Sequence, residues 1–224
     1  MNMQKIDAAT FDKKLNVLST HSTQSQSDCQ IAMMYVGYAF EEDNSLMTRK
    51  SRSAFIDIAR NDKRVGLRQS ALTRTETILL LMEVEKTAVD ESEMREMMRS
   101  MTQIINDNDP QNFTSAEKWS NRVILDEMRH THHIALRVIS AGLGYFPKQA
   151  VSDELHASLT EYSKNLKTQI GERADNRLAK NLSAAQRLIN TLEKIQPFLN
   201  PAATPVPHDP SNPLGKPHPR GYIT

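Results

Sequence analysis

The stretch from Trp119 to Gly144 constrains the fold more than any other, because it is the longest unbroken helical pattern with strong apolar content. At 100° per residue, its polar residues fall in one narrow sector and apolar residues fill the rest of the circumference. The polar sector contains Arg122, Asp126, Arg129, His130, His133, Arg137 and Ser140. A helix of this kind must be covered on several sides, so we expect it to form the centre of a bundle and to offer one charged face to water or to a partner.

The rest of the chain is also rich in residues that favour helices. Glycine contributes only 7 of the 224 residues, and no Asn-Gly or Asp-Gly pair marks a β-hairpin. The sequence therefore predicts an all-α protein of about six to eight helices. We expect an irregular helical bundle with a long C-terminal helix or helical hairpin and a Pro-rich extended tail. Its parts are an N-terminal amphipathic helix with a polar linker (1–26), the bundle domain (27–196) and the tail (197–224).

Cysteine content and hydropathy indicate the compartment. Cys29 is the only cysteine, so no internal disulfide can form. The N-terminus lacks the apolar stretch of a secretory signal. The longest clean apolar run, Ile78 to Met82, is far shorter than the ~20 residues that a membrane-spanning helix needs. We therefore expect a soluble cytoplasmic protein with no transmembrane segment.

Both ends of the chain have features of docking arms. Residues 5–19 form an amphipathic pattern with Phe11 and Leu15 on its apolar side, and the polar segment 19–28 that follows predicts a flexible linker. The last 28 residues contain eight prolines and carry two apolar anchors, Tyr222 and Ile223. Disorder is the default for such a tail, and docking on a partner groove is the functional alternative.

Two inner stretches have clear helical periodicity. From Glu91 to Asn106, a methionine stripe recurs at i, i+3, i+4 and i+7, formed by Met94, Met97, Met98 and Met101. Such a stripe is either a core face or an adaptable partner surface. From Ser152 to about Gln196 one apolar stripe runs on, and Gly171 is a plausible hinge that would divide it into two helices.

The central stretch also contains a possible metal motif, because Glu127 and His130 form an E-x-x-H pair. In di-iron carboxylate bundles this i, i+3 pair supplies two ligands from one helix. The segment EMRHTH, about six residues, resembles the corresponding helix of large di-iron monooxygenase subunits, which implies a ferritin-like metal-binding bundle. Those sites combine two such motifs with two further Glu, whereas the only downstream analogue here is Asp153-Glu-Leu-His156.

Two other interpretations of the same helix remain open. Asp126, His130 and His133 are i, i+4 and i, i+3 neighbours that could share a cation at the surface. The ordinary alternative is a solvated stripe with charge pairs along the helix and no cofactor. Glu127 and His132 fall in the apolar sector, so each is expected to find a polar partner on another helix.

A basic block makes nucleic acid a possible partner. Residues 49–74 contain eight Lys or Arg against two Asp and could be drawn as helix, turn and helix. The residues that would contact phosphates are Arg49, Lys50, Arg52, Arg60, Lys63, Arg64 and Arg68. However, the second helix runs into the apolar run that begins at Ile78, so a basic face that pairs with acidic residues elsewhere is the alternative.

The motifs that mark common enzymes are absent: the sequence has no P-loop, no G-x-G-x-x-G, no G-x-S-x-G and no H-E-x-x-H. We therefore expect a non-enzymatic adaptor or accessory subunit of a larger multi-protein assembly, such as a bacterial secretion complex or a phage-type component. Other proteins of that assembly would be its partners. The predicted partner-binding residues are Arg129, His133, Arg137, Met94, Met97, Met98, Met101, Phe11, Leu15, Tyr222 and Ile223.

Overall fold

The computed structural model describes residues 6–109, 112, 120–172 and 175–199, and over these residues the chain folds into α-helices without a strand. The prediction of an all-α bundle is confirmed. Two short 3-10 helices cover His21–Thr23 and Asn44–Leu46. The α-helices are α1 (Ala8–Ser19), α2 (Gln26–Glu42), α3 (Arg49–Asn61), α4 (Val65–Val84), α5 (Glu91–Asn106), α6 (Asn121–Tyr145), α7 (Pro147–Ala150), α8 (Asp153–Glu172) and α9 (Asn176–Leu199).

Side-chain caps set where several of these helices begin. Ser25 caps α2 by accepting a hydrogen bond from the backbone N–H of Asp28. Thr48 caps α3 in the same way, after the second 3-10 helix. Asp90 caps α5, whose bounds are those that the methionine pattern predicts. Trp119, at which the predicted central helix begins, lies outside the described residues, and α6 begins at Asn121.

The helices run alternately along the bundle. α2, α4, α6 and α9 run parallel to one another. Successive contacts between two neighbouring helices involve later residues in both of them. Gly37 of α2 lies against Arg74 of α4, and Asn44, just after α2, donates to Glu85, just after α4. The pairs Gln69–Glu127 and Glu76–Arg137 align α4 with α6. The pairs Arg129–Asp175 and His133–Asn181 align α6 with α9. The C-terminal ends of these four helices therefore lie at one end of the bundle.

The methionine stripe of α5 lies in the core. Met94, Met97, Met98 and Met101 are at most 1% exposed, so the structure favours the core interpretation over a partner surface. α5 approaches α6 closely at Gly142, where a Cβ would lie 2.7 Å from the Met98 Cε atom. A larger residue there would have to push the methionine aside.

The N-terminal helix packs on the rest of the protein. Phe11, Leu15 and Leu18 belong to the main hydrophobic core, and the Phe11 ring lies 6.3 Å from that of Phe40 in α2. The predicted partner-binding surface of Phe11 and Leu15 is thus covered internally. The expectation of a flexible linker is also wrong, because His21 is buried and α2 begins at Gln26.

The C-terminal stretch forms a helical hairpin, which confirms one of the two predicted alternatives. α8 ends just after Gly171 and α9 begins at Asn176, and the two helices pack antiparallel. Pro197 lies in the last turn of α9. Residues 200–224, with the predicted anchors Tyr222 and Ile223, lie outside the described residues.

Candidate functional site

The polar stripe of the central helix α6 is largely satisfied within the molecule. Arg129 forms an ion pair with Asp175, ahead of α9, and His133 Nδ1 lies 3.1 Å from Asn181 Oδ1 in α9. Arg137 is more exposed, yet it makes a bidentate pair with Glu76 of α4. The three α6 residues predicted to bind a partner therefore join α6 to its neighbours.

The buried end of the same network lies between α6, α8 and α9. His132 Nε2 lies 3.1 Å from the backbone oxygen of Asp107, and its Nδ1 lies 3.4 Å from the Tyr162 hydroxyl. Since a carbonyl only accepts, Nε2 carries the proton and Nδ1 accepts from Tyr162. Burial lowers the pKa of His132 to about 4 and raises that of Tyr162. His132, Tyr162 and Asn181, all uncharged, thus form an enclosed polar cluster. The cluster supplies the polar partner on another helix that was expected for His132.

The predicted metal ligands do not converge. Glu127 accepts a hydrogen bond of 2.7 Å from Gln69 of α4, while His130 is exposed and His133 faces α9. Asp126 lies near Arg129. Among the described residues, no group of three or more His, Cys, Asp or Glu side chains is placed to hold a metal ion. The resemblance to di-iron subunits therefore finds no matching ligand set in this part of the chain.

Three of the seven basic residues proposed for nucleic acid are used inside the fold. Arg52 is buried and makes two 2.7 Å hydrogen bonds to Glu93 of α5. Arg68 is buried and donates to the backbone oxygens of Ala59 and Asn112. The prediction that these arginines face phosphates is wrong in this fold.

Arg64 is the third internal arginine, and it organises a buried cluster that no sequence pattern predicts. It donates to Asp62 and to the backbone oxygens of His21 and Gln24. Burial by itself raises the pKa of Asp62, yet hydrogen bonds from Arg64 hold it below its ordinary value. Asp62 also lies 2.7 Å from His21 Nδ1, and the Cys29 thiol points at the same loop.

The other four basic residues remain at the surface. Arg49, Lys50, Arg60 and Lys63 are exposed. Arg49 lies near Asp90 and Glu96 of α5, 3.7 and 3.5 Å away. The basic block is therefore a mixed-charge surface that α5 partly neutralises, which matches the alternative of a basic face that pairs with acidic residues.

The surface with the greatest apolar exposure lies on α2 and α4. Met34 and Val84 are each 63% exposed, more than any large apolar residue of the described chain except Phe198. On α2 the exposed apolar residues recur at i, i+3 and i+7. On α4, Leu80 and Val84 lie on the same side of the helix as Thr73 and Thr77. We call this surface the α2–α4 face, and its apolar members are Ile31, Met34, Tyr38, Leu80 and Val84.

An open groove of about 820 Å³ runs beside this face. Its floor is the outward side of α4, with small residues such as Gly66, Ser70 and Thr73. Met34 lines the α2 side, and Ile134 of α6 lines the other. The small floor residues leave room between the two flanking helices, so the groove could accept side chains from an extended or helical segment.

Carboxylates surround one end of the face. α2 and α4 both end here, joined by the 2.8 Å hydrogen bond from Asn44 to Glu85, and neither has a basic residue in its last turn. A helix C-terminus carries a partial negative charge, so acids there reinforce each other and favour a cation. Lys86 pairs with Glu83. The five carboxylates are Glu41, Glu42, Asp43, Glu83 and Glu85.

The α2–α4 face was not predicted, although the sequence of α2 carries a signal for it. α2 is apolar around much of its circumference, which predicts cover on several sides. In the structure α1 and α4 cover only part of it, and Ile31, Met34 and Tyr38 face outward. The surplus of apolar residues on α2 therefore marks a side that this chain leaves uncovered.

Among the helices of the described residues, none combines the length and the apolar character needed to cross a bilayer. Comparison with protein-family models, with curated proteins and with solved structures finds no match for this chain. Its function must therefore be inferred from the surface just described.

Proposed function

We propose that this protein is a non-enzymatic helical adaptor, an accessory subunit of a larger assembly, and that it docks a partner on the α2–α4 face. The observation that supports this proposal is that five large apolar side chains are exposed on the outward sides of two adjacent helices. Single exposed apolar residues are ordinary, whereas several on neighbouring helices, beside charged groups, are typical of interaction surfaces. Within the proposal the protein works in the cytoplasm, where a lone thiol such as Cys29 stays reduced.

The magnitude of the apolar contribution indicates the partner's chemistry. Full burial of an apolar side chain contributes about 1.5–3 kcal/mol, and these residues are already partly covered. Association costs about 4–15 kcal/mol in lost freedom of motion, so apolar contacts alone would leave binding weak. The carboxylates around Glu41 and Glu85 contribute favourable electrostatic energy only to the binding of a cationic ligand. The proposed partner segment is therefore both apolar and basic.

A defined probe tests this proposal. The assay measures binding of a labelled amphipathic peptide of Lys and Leu, with a peptide of Glu and Leu as its charge-reversed control. We expect the protein to bind only the basic peptide, more weakly at high salt because exposed charges are screened. The substitutions Met34→Asp and Val84→Asp together should abolish binding.

Phe198→Asp is the matched control, because Phe198 is an exposed apolar residue of α9, a helix that packs on α6 and α8. It should leave peptide binding unchanged. Equal binding of both peptides, or equal loss of binding in the control variant, would contradict the proposal.

A further inference from the structure

The last described residue of the chain lies at the same end of the bundle as the acidic rim. α9, α6, α4 and α2 are successive neighbours and run in the same direction. Leu199 ends α9 and Val84 ends α4, so both lie at the shared end. With about 8–10 Å between packed helices, two helix spacings separate α9 from α4, roughly 20 Å.

The sequence beyond Leu199 has the chemistry that the α2–α4 face requires. Its last eleven residues contain Leu214, Tyr222 and Ile223 as apolar groups and Lys216 and Arg220 as cations, with no carboxylate side chain among them. Pro217 and Pro219 each have a fixed φ angle, so the segment has less backbone conformational entropy to lose on docking than a chain without proline. Apolar anchors interspersed with cations match an apolar surface with an acidic rim.

We propose that residues 214–223 of the same chain occupy the α2–α4 face when no partner is bound. The fourteen residues 200–213 would span about 43 Å as a polyproline II segment, at about 3.1 Å per residue, which exceeds the roughly 20 Å to α4. This inference rests on the proposed function, because it names the tail as an internal occupant of the docking surface. A partner would then have to displace it.

Tethering makes weak contacts sufficient for this arrangement. A tethered segment whose linker is long enough to reach its site is present at an effective concentration of about 1 mM, so a site with an intrinsic dissociation constant near that value is half occupied. The contacts to Tyr38 and Val84 and the charges of Lys216 and Arg220 need supply only this modest affinity. An external basic segment that binds more tightly would replace the tail. The tail therefore sets the minimum affinity that a partner needs.

Thiol reactivity of the full chain tests the inference. Cys29 is fully buried, so in a Val84→Cys protein the new thiol is the one that reacts quickly with an aromatic disulfide reagent. The comparison protein also carries Lys216→Glu, Arg220→Glu and Tyr222→Ser. Since the tail is expected to cover the face about half of the time, these tail changes should raise the reaction rate of the new thiol about twofold.

Thr168→Cys gives the matched control, because Thr168 is exposed on α8, away from the face. Its rate should not respond to the tail changes. An unchanged rate at position 84 would overturn the inference, and so would protection that grows with protein concentration, since that would come from the tail of a second copy. Basic-peptide binding by the tail variant separates this failure from failure of the proposed function.

Discussion

Removal of Arg52 should destabilise the protein through the carboxylate that it leaves behind. The Arg52 and Glu93 side chains are 7% and 8% exposed, and two 2.7 Å hydrogen bonds join α3 to α5. In Arg52→Met, the methionine fills much of the space while Glu93 stays buried without its partner. Breaking a buried pair in this way costs about 3–5 kcal/mol of unfolding free energy.

A double-mutant cycle separates the pair from its surroundings. In Arg52→Met with Glu93→Met, both charges are gone and the site becomes apolar, so most of the lost stability should return. Urea denaturation monitored by circular dichroism gives the unfolding free energies. The coupling energy should reach about 2–4 kcal/mol, near or above the top of the range for residues in direct contact.

The exposed pair Arg99–Glu154 provides the control. Its hydrogen bonds are also bidentate, at 2.9 Å, but its side chains are 56% and 55% exposed. Arg99→Met should therefore cost at most about 1 kcal/mol. If Arg52→Met cost no more than this control, Arg52 would not be a structural residue, and its assignment to the basic surface block would have to be restored.

Two further predictions concern buried titratable groups. Burial lowers the pKa of His132 to about 4, whereas the unfolded chain takes up the proton near pH 6.5. The unfolding free energy should therefore fall by about 3 kcal/mol as pH drops from about 6.5 to about 4, and a His132→Gln protein measured over the same range should lack this part of the slope. For Cys29, burial raises the thiol pKa more than Arg64 lowers it, so alkylation of the native protein should be slow and should accelerate in urea. Equal rates with and without urea would show that the thiol is accessible in the native state.

The elements that the sequence predicted well are those set by local chemistry. The bounds of α5 follow from a methionine period of 3.6 residues. The break after Gly171 follows from a glycine in an otherwise continuous helical stripe. Neither inference needs knowledge of distant parts of the chain.

The errors concern interactions between distant residues. The partner of Arg52 is 41 positions away, and Arg68 reaches Asn112 across 44 positions. A pattern that covers only a few neighbouring residues therefore assigns both arginines to the surface. Phe11 was predicted to be available to a partner because the polar residues after α1 indicate a linker, but the buried His21 anchors that segment to the bundle.

The central claim is that the α2–α4 face binds a basic, apolar segment of another protein, and site-specific photocross-linking in the producing cell tests it most directly. The photoreactive phenylalanine analogue p-benzoylphenylalanine replaces Tyr38 in one protein and Thr168 of α8 in the control, and both positions are exposed. We expect position 38 to cross-link to a partner peptide with Lys or Arg beside apolar anchors, and Glu41→Lys with Glu42→Lys to remove the product. Cross-linking at position 38 that does not exceed the control, or that captures only acidic segments, would contradict the account.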